Sequence, residues 1–290
     1  MGRASSLEVA GTIGLLTDED DFRAMRRYRS FPFADFATYL NAVENLLDSR
    51  VSQGAATTVA VFDPQEYAHY CTDTGLPPDS ASSRARFTAE LATTGPTIPY
   101  DGQPLADLIP DLADEALRQA TWEYASELLA DLGPCESCGE DIGRTAFARA
   151  SGLLVRILGT AARPGTQHLV CSAPAGPETL VAALHVDTDS GGACRLDEDE
   201  ARGFTTVLAL ALATQRPSGL VMRSSAPGAR DQVYGWRQRK GDFESLTAGE
   251  VFDAYCVHAD TGGLVSPESD VDYCVAPDLG PDATPSAHRH

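Results

Sequence analysis

Lysine is nearly missing from this chain. Lys240 is the only one, and every other base among the 22 Lys and Arg residues is arginine. A P-loop needs lysine in G-x-x-x-x-G-K-[ST], a protein kinase needs a strand lysine, and Schiff-base chemistry needs a desolvated amine. Lys240 lies in the hydrophilic run "RQRKGD", with no glycine loop before it and no Ser or Thr directly after it. Those classes are closed. The patterns G-x-G-x-x-G, G-x-S-x-G and H-E-x-x-H are missing too, which removes the dinucleotide fingerprint, the nucleophile elbow and the zinc-protease helix. No apolar run approaches 18 residues, so no membrane-spanning helix is expected. The start "MGRASSLEVAGTIGLLTDEDD" lacks the compact apolar stretch and small-residue cleavage site of a secretion signal. Gly2 and Ser6 fit the short N-myristoylation pattern, which arises readily by accident.

What is present is an acidic globular composition. The chain has 290 residues, 43% hydrophobic and 22% charged, with 42 acids against 22 bases and a formal charge of −20. That length suits two domains and a sizeable core. The negative field repels phosphate backbones and anionic lipid, so the expected partner is a protein or a small molecule rather than nucleic acid or membrane. Two basic stretches, "RAMRRYR" (Arg23 to Arg29) and "RQRK" (Arg237 to Lys240), read as solvated faces that offset nearby acid. Seven cysteines, an odd number scattered along a chain without a secretion signal, read as reduced thiols in the cytoplasm.

Periodicity gives an α/β or α+β fold. An N-terminal α/β unit spans residues 1–100, helices with a mostly antiparallel sheet follow over 101–278, and 279–290 form a flexible tail. "FADFATYLNAVENLLDSRV" carries apolar residues at helical spacing, and "TTVAVFDP" reads as a buried strand whose Pro64 opens the next helix. "SASSRARFTAELA" is a further helix. The first twenty residues read as a loose end, and the Pro/Gly-rich stretch Thr93 to Pro104 as the domain boundary. A long helix is expected from Asp111 to Leu132, stopped by Gly133, with another starting at "EDIGRTAFARA". "GLLVRILG", "QHLVCSA" and "TLVAALHV" read as three strands of a meander, and "GLVMRSS" as a fourth. "DEDEARGFTTVLALALATQ" is a helix with acids in its first turn, and a loop is expected over Gly228 to Gly241. Thr247 with Glu250 has the capping-box spacing at the start of "TAGEVFDAYCVHA", and "VDYCVAP" supplies a last strand.

The chemistry gathers at "GPCESCGED", residues 133–141. C-x-x-C lets two thiolates of one tight turn bind a single ion, and zinc is the metal such a pair takes. A structural zinc needs two more ligands, and no second C-x-x-C exists. The nearest candidates are His168 and Cys171 in "QHLVC". Positions three apart on a strand face opposite ways, so both reach one ion only across a bulge. A redox dithiol at a helix N-terminus is another reading, although the element upstream is a helix where a thioredoxin-like unit has a strand. Two uninvolved thiols in an exposed turn are the plain alternative.

The order of turn, helix and strand in "PCESCGEDIGRTAF…LLVRIL" resembles the zinc helix of the bacterial toxin-like nucleobase deaminases over about thirty residues. The resemblance implies that Cys135 and Cys138 hold zinc. The family also uses an upstream H-x-E or C-x-E for the third ligand and the proton-shuttling base. Here His69 sits in "HYC" and Cys71 leads to Asp73 in "CTD", so neither is supplied. "DTDSGGACRLDE" (Asp187 to Glu198) follows an EF-hand loop partway, and "HADTGGLVSPES" (His258 to Ser269) less well. Both read as acidic turns, the first feeding a helix N-terminus. The histidines at 69, 168, 185 and 258 each have cysteines nearby in sequence, which only a fold could assemble into a dyad. The reading that results is a binding or regulatory protein without a catalytic motif of its own. The alternative is a zinc- or thiol-dependent enzyme, in its sharpest form a degenerate deaminase-like hydrolase using the PCESC pair.

Overall fold

A computed structural model describes residues 11–239, 241–257 and 263–280. The Gly2/Ser6 pattern, Lys240, His258 with the start of the second acidic loop, and residues 281–290 of the tail lie outside these. The chain is mixed α/β and divides into two compact units, the first ending at Gln119 and the second beginning at Ala120.

In the first unit β1 (Gly11–Leu15) leads to α1 (Glu19–Met25) and α2 (Phe36–Ser52), then β2 (Thr57–Val61), α3 (Pro64–Thr74), α4 (Ala81–Thr94) and β3 (Thr97–Pro99). The sheet order is β1-β2-β3, with β1 parallel and β3 antiparallel to β2. Side-chain capping sets the helix starts. Asp18, Asp35 and Asp63 each accept N–H bonds from the first turn behind them, and Pro64 occupies the first turn of α3. The core is aromatic: Phe22, Tyr39, Phe62, Tyr67 and Phe87 are buried and meet edge-on or tilted. Residues 11–25, expected as a loose end, are therefore a paired strand and a capped helix whose Leu15, Phe22 and Met25 fill this core.

Helix α5 (Leu105–Asp131) begins earlier than its periodicity suggested and carries the chain from one unit to the next. Leu105, Leu108 and Leu112 bury in the first unit, while Ala125 and Leu129 bury in the second. The division between the two compact units falls inside this helix.

The second unit continues with α6 (Ile142–Ala161), β4 (Gly165–Ala175), β5 (Glu178–Thr188), β6 (Cys194–Leu196), α7 (Glu198–Thr214), β7 (Gly219–Ser225), β8 (Asp231–Arg239), β9 (Asp242–Ser245), α8 (Ala248–Cys256) and β10 (Val271–Tyr273). The sheet runs β10-β8-β7-β4-β5-β6, with β9 on the far part of β8. All pairs are antiparallel except β10 with β8. Ten successive residues of α7, Gly203 to Leu212, are buried. A helix apolar on every side must be covered on every side. Here α6, β4 and β5 all pack against α7.

Two local expectations are overturned in this unit. "GLLVRILG" is the second half of α6, not a strand: Leu153, Leu154, Ile157 and Ala161 continue the buried stripe begun by Ala146 and Ala150. Residues 231–239, expected as loop, form a long strand with Val233, Tyr234, Trp236 and Gln238 buried. Trp236 donates its indole N–H to the Pro277 carbonyl at 3.1 Å. The capping box at Thr247 and Glu250 forms as its spacing indicated. Among the described residues no helix is long and apolar enough to cross a membrane.

Candidate metal centre

The C-x-x-C pair occupies the turn between α5 and α6. Gly133 ends α5 in the left-handed conformation, at φ 63°. Pro134 and Asp141 then pair as an antiparallel bridge, backed by Ile142 N–H to Gly133 O at 3.1 Å and Cys135 N–H to Glu140 O at 2.8 Å. Within that bridge Gly139 N–H returns to Cys135 O at 2.8 Å, and Gly139 takes φ 75°. The base is tight as well. A Cβ on Gly143 would lie 2.8 Å from the Leu129 carbonyl oxygen, so only glycine lets α6 approach α5 this closely. Asp141 caps α6 by accepting Arg144 N–H at 2.7 Å.

This turn aims donors at sulfur. Ser137 N–H reaches Cys135 Sγ at 3.4 Å, and the Ser137 hydroxyl lies 3.0 Å from it. The Cys135 thiol is pushed down to about 7, first by the Ser137 hydroxyl, then by the backbone N–H groups of Ser137 and Cys138. Hydrogen bonds to the charged form favour it, and the thiolate is the form that ligates metal. Glu136, Ser137, Cys138, Gly139 and Glu140 are all exposed, and Cys135 is half-buried. A groove of about 680 Å³, lined by residues that include Gly139, Glu140, Arg144 and Ala148, opens beside the turn. Asp131, Glu136, Glu140 and Asp141 make the surroundings acidic, which favours a cation.

The other sequence candidates are placed elsewhere. His168 and Cys171 lie on opposite faces of β4. Cys171 is fully buried among apolar residues, which pushes its thiol up to about 12. Neither joins Cys135 and Cys138, and among the described residues no group of three or more His, Cys, Asp or Glu is placed to hold a metal ion. Cys71 and Cys256 are also buried, and no disulfide joins any of the seven cysteines. His69 is exposed on α3. The stretch Asp187 to Glu198 forms a hairpin between β5 and β6, in which the Asp189 carboxylate accepts the N–H groups of Gly191 and Ala193. The strand that completed the deaminase-like order is helical, as described above.

One cluster escaped sequence reasoning. His168 and His185 are directly paired across β4 and β5, at positions that alternate with the buried ones of each strand, and their rings stack at 4.5 Å. Glu200 holds His185 twice, at its backbone N–H and at Nδ1, both at 2.9 Å. Arg223 pairs with His168 across β7 and forms ion pairs with Asp231 at 2.6 Å and Glu268 at 3.0 Å. Burial depresses the His168 imidazole below its usual range, with a smaller push from His185. Burial alternates along both strands and leaves the two histidines on the less buried positions, but the register that makes them neighbours is not local information. The basic stretches are engaged with nearby groups. Arg23 pairs with Asp20, Arg27 stacks on Tyr28, Arg237 meets Glu250 at 3.0 Å and Arg239 meets Glu244 at 3.7 Å.

Fold and turn together define a two-unit α/β protein with a thiol knuckle in the turn between α5 and α6. Residues 1–103 match the model of a family described as a domain of unknown function (DUF8829), a segment that ends before the knuckle. No curated protein and no solved structure matches the chain.

Proposed function

We propose that the chain is a cytoplasmic binding and regulatory protein that takes up zinc through Cys135 and Cys138. The observation that carries the reading is the set of Ser137 and Cys138 donors aimed at Cys135 Sγ inside a turn closed by Gly139. Such donors offset thiolate charge before any ion arrives, so little reorganisation is left for binding. A reducing compartment keeps both thiols available for metal. The role is structural rather than catalytic. A catalytic zinc keeps three protein ligands and one open position, with a base nearby to use it. Among the described residues no group of three or more His, Cys, Asp or Glu is placed as a catalytic zinc site would need.

The test is elemental analysis of protein purified with a non-thiol reductant, together with competition against a chromophoric chelator. Bound zinc that is lost in both Cys135→Ser and Cys138→Ser is expected. A chain that takes up no zinc, or whose zinc survives both substitutions, overturns the reading.

A further inference from the structure

We propose that Cys135 and Cys138 are a reversible dithiol–disulfide pair that an uncharged hydroperoxide oxidises. The juxtaposition of the two sulfurs carries the proposal. The Cys138 thiol hydrogen-bonds the Cys135 sulfur, so the two already lie within bonding reach of each other. A disulfide needs Cα atoms within about 7 Å, and a chain that turns back within four residues meets that limit. Here Gly139 N–H closes the turn on Cys135 O at 2.8 Å. Both thiols are free, which is the reduced form of such a pair. Solvent reaches them, since Cys138 is exposed and Cys135 half-buried. No other two cysteines stand three apart, and Cys71, Cys171 and Cys256 are buried. Asp131, Glu136, Glu140 and Asp141 repel an anionic oxidant such as glutathione disulfide and leave an uncharged hydroperoxide unopposed.

The chemistry runs in two steps. The Cys135 sulfur attacks the outer oxygen of the hydroperoxide: an S–O bond forms, the O–O bond breaks, and the thiol proton goes to the departing oxygen, which leaves as alcohol or water. The Cys138 sulfur then attacks the sulfenic sulfur of Cys135. The S–S bond forms, the S–O bond breaks, and the hydroxide leaves as water with the Cys138 proton. Two thiols have lost two electrons and one hydroperoxide has gained them. A dithiol reductant reverses the change by exchange through a mixed disulfide. In a reducing compartment such a disulfide is transient, as a sensor requires. The oxidised pair has no thiolate left for a metal, so disulfide and zinc exclude each other at this turn. The redox step stands without the zinc reading, and only this exclusion rests on it.

The experiment treats the full chain, reduced and freed of metal by a chelator, with a slight excess of hydrogen peroxide. Iodoacetamide then blocks the remaining thiols, and trypsin releases the peptide Gln119 to Arg144, which carries Cys135 and Cys138 and no other cysteine. Mass spectrometry is expected to find that peptide unalkylated and about 2 Da lighter than the dithiol, the loss of two hydrogens. Both sites should become alkylatable again after a dithiol reductant, while exposed Cys194 keeps its alkyl group throughout. Two alkylated cysteines after peroxide overturn the proposal. So do sulfinic acids without a disulfide, a bridge to any other cysteine, or oxidation of Cys194 at the same rate. Glutathione disulfide that closes the pair faster than peroxide at equal concentration overturns the choice of oxidant. Repeating the treatment on the zinc-loaded chain separates this reading from the zinc reading. Zinc is expected to keep both cysteines alkylatable. A disulfide that forms equally fast with and without zinc sinks the exclusion and the zinc reading and upholds the redox pair. No disulfide in the metal-free chain sinks the redox pair and leaves the zinc reading standing.

Discussion

Gly139 offers a direct measure of how far the knuckle is pre-formed. It holds φ 75°, and a Cβ built there meets nothing within 4 Å. Gly139→Ala therefore adds no clash, and its whole effect is the backbone penalty of an L residue in the left-handed region, about 1–2 kcal/mol. If the chain alone holds the turn, that penalty lowers the stability of the second unit. At its size a loss of this order moves the midpoint by about 2–8 °C. If the metal holds the turn, the penalty appears instead as a roughly 5- to 30-fold loss of zinc affinity. Gly139→Asn should show a smaller effect, because asparagine tolerates the left-handed region better. Gly152 in α6 is the control, since its added Cβ also meets nothing and its backbone is helical. Gly152→Ala should be neutral or stabilising by roughly 0.5–1 kcal/mol. Thermal unfolding and chelator competition on the same samples separate the two cases. A Gly139→Ala protein that matches the parent in both assays refutes the turn as described.

Three further outcomes follow from local geometry. Asp21 is raised to about 6, first by burial and then by Asp18, Asp63 and Asp20, so its ionised form is penalised in the fold and the penalty grows as pH rises from about 4 to about 6. Asp21→Asn should stabilise the first unit by about 1 kcal/mol at neutral pH, after allowance for solvent screening. A gain that persists unchanged at acid pH, read by denaturant unfolding, would count against this. Thr247→Ala removes the capping box of α8 and should cost about 1 kcal/mol. Amide exchange should speed up in α8 first, and uniform protection would contradict the role of the cap. His185→Ala should move the NMR titration midpoint of His168 upward, because the neighbouring imidazole adds to the depression that burial causes. A midpoint that stays or falls means that the stacked pair is not coupled.

Local signals were legible and long-range ones were not. Asp63-Pro64 announced the start of α3, and Thr247 with Glu250 announced α8, because caps are decided within four residues. The strand β1 was hidden by its own packing. Gly14 lies where a Cβ would come within 2.9 Å of Phe62, so the residue that packing demands is also the one that weakens the strand pattern. In β8 the sequence "DQVYGWRQR" sets arginine and glutamine among the buried positions and reads as polar. Yet Gln238 is buried, and its backbone N–H reaches the Ser218 carbonyl at 2.8 Å. In "GLLVRILG" an eight-residue apolar run fits strand or helix equally. The buried stripe inherited from Ala146 and Ala150 settles it, and that stripe exists only because α7 is there to receive it.

The metal candidate shows the same division in sharper form. Spacing identified Cys135 and Cys138 as a pair, but which groups surround their sulfurs is decided by the fold and not by the spacing. The donors that prepare Cys135 come from the backbone of the turn and have no side-chain signature apart from Ser137.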